Sequence, residues 1–83
     1  MNWYLLTFRS VTLAQRGERM LQRGGVNAAM SRAPKWMEER GCGYCLRLHG
    51  RDLNRAKELL SEGGLPYRRL YAQRPDGTWE ERV

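Results

Sequence analysis

Two glycine pairs, Gly24-Gly25 and Gly63-Gly64, most constrain how this chain can fold, because each follows a segment with helical periodicity and is expected to end it. Ser10 and Asp52 precede these two segments and are good N-cap residues. The apolar residues at helical spacing are Leu13, Ala14, Gly17, Met20 and Leu21 in the first segment, and Leu53, Ala56, Leu59 and Leu60 in the second. The sequence therefore predicts two amphipathic helices, the first ending at Gly24-Gly25 and the second running from Leu53 to Ser61.

Strand-like segments flank both helices. They are Asn2 to Phe8, Val26 to Ser31, Tyr44 to His49 and Leu65 to Gln73. Both faces of the first segment are largely apolar, which indicates a central strand. The irregular stretch from Ala33 to Gly43 reads as a loop. Arg74 to Gly77 is a strong turn signal, after which Thr78 to Val83 is expected either to fold back as a short edge strand or to fray.

The order of elements, β-α-β-β-α-β, predicts one α+β domain over residues 1–83. It is the ferredoxin-like, split βαβ arrangement, with a four-stranded antiparallel sheet and two helices on one face. In such a domain, Gly17 is expected where the first helix approaches the sheet closely, since a glycine within a helix costs about 1 kcal/mol relative to alanine. A chain of 83 residues is too short to enclose a large active-site cavity.

The composition is that of a folded and basic protein. Fifteen lysines and arginines against nine acidic residues give a net charge of +6, and both halves of the chain carry an excess of cations. No apolar run is long enough to span a bilayer, and Met1 to Phe8 lacks the basic start of a signal peptide. We therefore expect a cytoplasmic protein without a membrane partner.

The segment Cys42-Gly43-Tyr44-Cys45 is the part of the sequence that most suggests chemistry. Gly41 and Gly43 leave the Cys42 thiol uncrowded and allow backbone N–H groups to stabilise a thiolate, to which Lys35 or Arg47 can add positive charge. Cys45 has two interpretations. It forms or resolves a disulfide with Cys42, or it packs as a small apolar core residue.

Two other classes of function are compatible with the residues. Cys42, Cys45 and His49 offer half of a zinc site, but the chain has no second cluster to complete it, and we predict no metal unless two chains share one. The basic charge and the strand aromatics Trp3, Tyr4, Tyr44, Tyr67 and Tyr71 suggest RNA binding, but no segment has the RNP1 pattern. We expect these aromatics to pack rather than to bind nucleic acid.

Several motifs together resemble one family, the small bacterial Se/S carrier protein-like domains. In chain order they are Tyr4-Leu5-Leu6-Thr7-Phe8 with Ser10, then Ala14, Glu18 and Leu21, then Gly25-Val26, Ala33-Pro34-Lys35, Cys42-Gly43, Leu46-Arg47-Leu48, Leu59-Leu60 and Leu70-Tyr71. The most specific part is Cys-Gly-x-x-Leu-Arg after a Pro-basic turn. The loop between Pro34 and Cys42 is about one residue longer than is usual in the family, and Cys45 stands where a small residue is typical.

The resemblance implies a carrier, rather than a turnover enzyme, in which Cys42 holds sulfur or selenium as a persulfide or selenosulfide. A cysteine desulfurase or a TusA-type sulfur-carrier protein would be the donor, and a protein of selenium or sulfur metabolism the acceptor. No cofactor is implied beyond the chalcogen atom itself. An exposed sheet edge would also allow a homodimer.

Overall fold

The computed structural model describes residues 2–33 and 43–82, which form two helices and five strands. The elements in chain order are β1 (Trp3–Thr7), α1 (Val11–Arg23), β2 (Ala29–Arg32), β3 (Tyr44–His49), α2 (Leu53–Glu62), β4 (Arg69–Gln73) and β5 (Trp79–Arg82). The predicted bounds of β3 are confirmed. No helix among the described residues has the length and apolarity needed to cross a membrane.

Both helices end at their glycine pairs, as predicted, and they end in the same way. After α1, the N–H of Val26 donates to the Leu21 carbonyl at 2.8 Å and that of Gly25 to the Gln22 carbonyl at 3.1 Å. After α2, the N–H of Leu65 donates to the Leu60 carbonyl at 2.9 Å, and Gly64 bonds to Ser61 at 3.1 Å. Gly25 and Gly64 have φ values of +86° and +65°, so each pair forms a Schellman motif.

This ending corrects the predicted starts of two strands. Val26 and Leu65 are buried apolar residues, but their N–H groups complete the helix ends and do not pair within the sheet. As a result, β2 begins at Ala29 instead of Val26, and β4 begins at Arg69 instead of Leu65.

The strands form one antiparallel sheet in the order β2-β3-β1-β4-β5, with β1 in the centre. The prediction of four strands is therefore wrong, although the α+β class and the two helices are confirmed. The fifth strand forms because the turn over residues 74–77 returns the chain alongside β4, so that Trp79 pairs with Gln73 and Arg82 with Leu70. The description as ferredoxin-like remains a prediction.

The main core lies between the sheet and the two helices. Leu6, Leu46, Leu48 and Leu70 of the sheet pack with Ala14 and Leu21 of α1 and with Ala56 and Leu60 of α2. Gly17 lies where α1 approaches the sheet closely, as predicted. A β-carbon at Gly17 would sit 3.0 Å from the Phe8 ring and 3.3 Å from Leu46.

A second, smaller core covers part of the other face of the sheet. It consists of Leu5, Ala33, Cys45 and Tyr71, with Trp79 of β5 packed against it. A chain of this size therefore buries side chains on both faces of its sheet, and β1 is a central strand, as its two apolar faces indicate.

The two helix starts differ. The Ser10 hydroxyl accepts a hydrogen bond from the Leu13 N–H at 3.1 Å, which confirms the predicted N-cap. Asp52 occupies the N-cap position of α2, as predicted, but its side chain makes no such bond. A single 3-10 turn over Gly50–Asp52 leads directly into α2, and it leaves Asp52 with nearly helical dihedral angles instead of the extended ones of a capping residue.

Candidate functional site

Gly43 lies at one end of the sheet, directly before β3. The Ala33 N–H donates to the Gly43 carbonyl at 3.0 Å, one register position beyond the pairing of Arg32 with Tyr44. Gly43 has a φ of +81°, a backbone conformation that favours glycine. The predicted site residue Gly43 is thus held in place by backbone bonding to the end of β2.

Three other predicted site residues, Lys35, Gly41 and Cys42, lie outside the described residues. Their predicted roles depend on the sequence and on the position of Gly43, to which Cys42 is joined by a peptide bond.

Several arginines lie at the same end of the sheet as Gly43. Thr7, the last residue of β1, pairs with both Cys45 and Arg69. The end of β1 therefore lies beside the start of β3 and the start of β4. The Arg68 N–H donates to the Thr7 carbonyl at 2.6 Å, and Arg9 follows Thr7 by two residues. This end of the sheet is consequently rich in positive charge.

Arg32 also belongs to this end, and its guanidinium lies 5.8 Å from the centre of the Tyr44 ring. The sequence analysis did not single out Arg9, Arg32 or Arg68. A partial signal was present for Arg32, because β2 and β3 are consecutive strands and the end of one lies beside the start of the other. Arg9 and Arg68 come together only because β1 pairs with β4, which the sequence does not show.

Cys45 is fully buried in the second core, on the face of the sheet opposite the helices. Its thiol donates to the Ser31 carbonyl, with a sulfur to oxygen distance of 3.6 Å. Its neighbours Leu5, Ala33 and Tyr71 are apolar. These surroundings suit the packing interpretation of Cys45.

Arg47 lies on the same face as Cys45, two residues further along β3. Its guanidinium is exposed to solvent and sits 4.3 Å from the centre of the Trp3 ring, which itself lies 3.9 Å from the ring of His49. These contacts place the Arg47 guanidinium toward the far end of β3 from Gly43. Its role in stabilising a thiolate remains a prediction.

The position of His49 argues against a zinc site within one chain. Cys45 and His49 are four residues apart on one strand, so their α-carbons are about 13 Å apart. Zinc bonds of about 2.0 to 2.3 Å cannot bring the two side chains to one ion over that distance. Among residues 2–33 and 43–82, no group of three His, Cys, Asp or Glu side chains could hold a metal.

The aromatic residues predicted in strands do not form one continuous surface, and Tyr67 lies before β4 instead of within it. Tyr4 and Tyr67 pack against the main core, and Tyr71 is buried in the second core. Trp3 is half-buried beside Arg47 and His49. A row of exposed rings on which bases could stack is therefore not found along the described strands.

These features define a small α+β domain with an arginine-rich sheet end at Gly43, the residue that follows Cys42 in the sequence. Residues 3–72, most of the chain, match the family model described as "Putative Se/S carrier protein-like". The chain belongs to this family, which confirms the resemblance drawn from its motifs. No curated protein and no solved structure matches the chain.

Proposed function

We propose that this protein is a sulfur or selenium carrier and that Cys42 is the residue that carries the atom. The observation that carries the proposal is the family match over residues 3–72, which includes Cys42. The positions of Gly43 and of the arginines at the same sheet end support it, because positive charge lowers the pKa of a thiol and favours the nucleophilic thiolate.

The transfer step needs no oxidant. The Cys42 thiolate attacks the outer sulfur of a donor persulfide, a new bond forms to the Cys42 sulfur, and the bond between the two donor sulfurs breaks. The donor leaves as a thiolate, and Cys42 is left as a persulfide. A selenium atom would move by the same exchange and give a selenosulfide.

Each predicted site residue has a distinct role in this proposal. Backbone N–H groups around Gly41 and Gly43 stabilise the thiolate, and Lys35 adds positive charge. Arg47 is the less favourable source of charge, because its guanidinium packs against Trp3 toward the far end of β3. The burial of Cys45 supports a packing role for this residue. The donor would be a cysteine desulfurase or a TusA-type carrier, and the transfer would take place in the cytoplasm.

The test is intact-mass spectrometry without reductant, after incubation with a cysteine desulfurase and either cysteine or selenocysteine. The wild type and Cys45→Ser should each gain one sulfur or one selenium atom, whereas Cys42→Ser should gain none. Cys45→Ser is the matched control, because it removes the other thiol of the chain. Equal loading of Cys42→Ser, or a wild type that gains no mass, would contradict the proposal.

A loss of two hydrogens that requires both cysteines would indicate a disulfide couple instead of a carrier.

In Cys42→Ser, the remaining Cys45 thiol should react with iodoacetamide only after the protein is unfolded in urea, since it is fully buried. Rapid alkylation of the native variant would show that Cys45 is accessible and would remove the support for a packing role.

A further inference from the structure

A groove of about 460 Å³ lies beside the first turns of α1. Its lining includes three arginines from different elements: Arg9 follows β1, Arg16 belongs to α1, and Arg68 precedes β4. Leu13, Leu65 and Tyr67 supply apolar and aromatic surface between them. The groove thus combines a cationic rim with an apolar wall, which is the composition of a site for an organic anion.

The described residues bring charge of only one sign to the groove. No carboxylate of residues 2–33 or 43–82 lines it. Neither Arg9 nor Arg16 forms an ion pair with a carboxylate of this part of the chain. The first turn of α1 contains no acidic residue, so the positive end of the helix dipole adds to the potential of the arginines.

The groove is held open by backbone bonding in the free protein. The segment 64–68 that forms one wall is fixed at its start by the bond from Leu65 to Leu60 and at its end by the bond from Arg68 to Thr7. Leu65 is buried, and Ser10 fixes the start of α1 on the other side. A ligand would therefore meet a preformed backbone wall, and the ordering entropy lost on binding would be mainly that of the exposed arginine side chains.

We infer that this groove binds a small organic phosphate, with the phosphate against the arginines and the organic part against the wall formed by Leu13, Leu65 and Tyr67. One guanidinium group can donate two parallel hydrogen bonds to two oxygens of a phosphate, so arginine is preferred over lysine for this recognition. The volume lies within the range of about 300 to 1,000 Å³ found for small-molecule sites. The inference does not depend on the carrier function of Cys42.

The test uses isothermal titration calorimetry of the whole protein with AMP, inorganic phosphate and adenosine at one low salt concentration. AMP should bind at least tenfold more tightly than either fragment, because only AMP engages both the arginines and the apolar wall. Arg16→Gln should weaken AMP binding at least fivefold. The control is Arg51→Gln, an exposed arginine at the opposite end of the sheet, and it should leave the affinity unchanged.

Two further results complete the test. In amide NMR spectra, AMP should shift the resonances of Leu65 and Arg68 and leave that of Arg51 unmoved. AMP that binds no more tightly than phosphate would overturn the inference in favour of a bare anion site. An equal loss of AMP affinity in Arg16→Gln and Arg51→Gln would overturn the inference in favour of diffuse charge attraction. If both variants also weakened the binding of a short RNA, and the RNA bound more tightly than AMP, the arginines would instead serve nucleic-acid binding.

Discussion

At the scale of single residues, Gly43 links the conformation of the backbone to the proposed chemistry. Its φ of +81° lies in the left-handed region, and its carbonyl accepts the hydrogen bond from Ala33 that joins β2 to β3 beyond their last pair. A residue with a β-carbon pays about 1 to 2 kcal/mol to adopt such a conformation. The glycine of the family's Cys-Gly motif therefore has a structural reason that is independent of the thiol.

Gly43→Ala tests this reason. We expect the variant to lower the free energy of unfolding by about 1 to 2 kcal/mol, because alanine is strained at positive φ. Gly43→Asn should lose less stability than Gly43→Ala, since asparagine tolerates the left-handed region better than alanine does. Urea denaturation of the three proteins measures the differences. An alanine variant as stable as the wild type would mean that Gly43 does not need its positive φ.

At the scale of secondary-structure elements, α1 protects the edge strand β2. The Glu18 carboxylate accepts a hydrogen bond from the Met30 N–H at 2.8 Å, and the Gln22 side chain donates to the Ala28 carbonyl at 3.0 Å. Edge strands have backbone groups without a partner strand and are prone to pair with other chains. Glu18, one of the residues that carry the family resemblance, thus satisfies one such group.

Glu18→Ala should remove this protection. We expect the free energy of unfolding to fall by about 1 to 3 kcal/mol, because the Met30 N–H loses a charged acceptor. Hydrogen exchange should accelerate at Met30 more than at Leu46 of the neighbouring β3. The control is Glu58→Ala, which removes an exposed carboxylate from α2. Unchanged exchange at Met30 would contradict the role of Glu18.

The turn between β4 and β5 predicts a dependence of stability on pH. One Asp76 oxygen accepts hydrogen bonds from the Thr78 hydroxyl at 2.6 Å and from the Thr78 N–H at 2.9 Å. Both bonds lower the pKa of Asp76 below its ordinary value of 3.8, and the bond from the Thr78 hydroxyl has the larger effect. The folded turn thus favours the ionised carboxylate, so its contribution is complete above the ordinary pKa and is lost as the pH falls through the lower folded pKa.

The stability difference between the wild type and Asp76→Asn should therefore narrow as the pH falls from about 6 to about 2. Urea denaturation at several pH values measures it, and an NMR titration of the Asp76 carboxyl carbon reports the pKa directly. A difference that stays constant over this range would show that the Thr78 bonds do not favour the ionised form.

At the scale of the whole molecule, β5 completes the second core although it lies beyond the family match, which ends at residue 72. Trp79 packs against the core formed by Leu5, Ala33, Cys45 and Tyr71. The contribution of this strand to stability therefore comes through one large side chain, because the following residues Glu80 to Arg82 are exposed.

Trp79→Ala should lower the free energy of unfolding by about 1 to 3 kcal/mol, less than for a fully buried tryptophan because Trp79 is half-buried. Glu80→Ala is the control on the same strand. It removes two exposed ion pairs, with Arg74 and Arg82, and should change stability by less than about 1 kcal/mol. Equal effects of the two substitutions would show that β5 does not stabilise the second core through Trp79.

Sequence reasoning predicted the elements better than their bounds, and the reasons are physical. The alternation in Tyr44–His49 gave the limits of β3, because one face of that strand is buried against the helices. Val26 and Leu65 misled the same reasoning, since an apolar residue signals burial but not the partner of its backbone N–H. Hydropathy likewise does not show whether Asp52 follows an extended segment or a 3-10 turn.

The candidate site could be predicted only as far as local sequence reaches. The burial of Cys45, one of its two open interpretations, follows from the alternation within β3. The positive φ of Gly43 was not predicted from the sequence. The cationic groove does not, because Arg68 is distant in the chain from Arg9 and Arg16 and meets them only through the register of β1 with β4 and the packing of α1.

The bond between Ala33 and Gly43 has a consequence for how the family can vary. It closes the β2–β3 ladder on the side of the sheet where residues 34–42 begin and end, so the pairing of these strands is complete without them. The entropy of closing a loop rises slowly with its length, by about 0.6 kcal/mol for each doubling. A change in the number of residues between Pro34 and Cys42 should therefore cost the β2–β3 pairing little free energy.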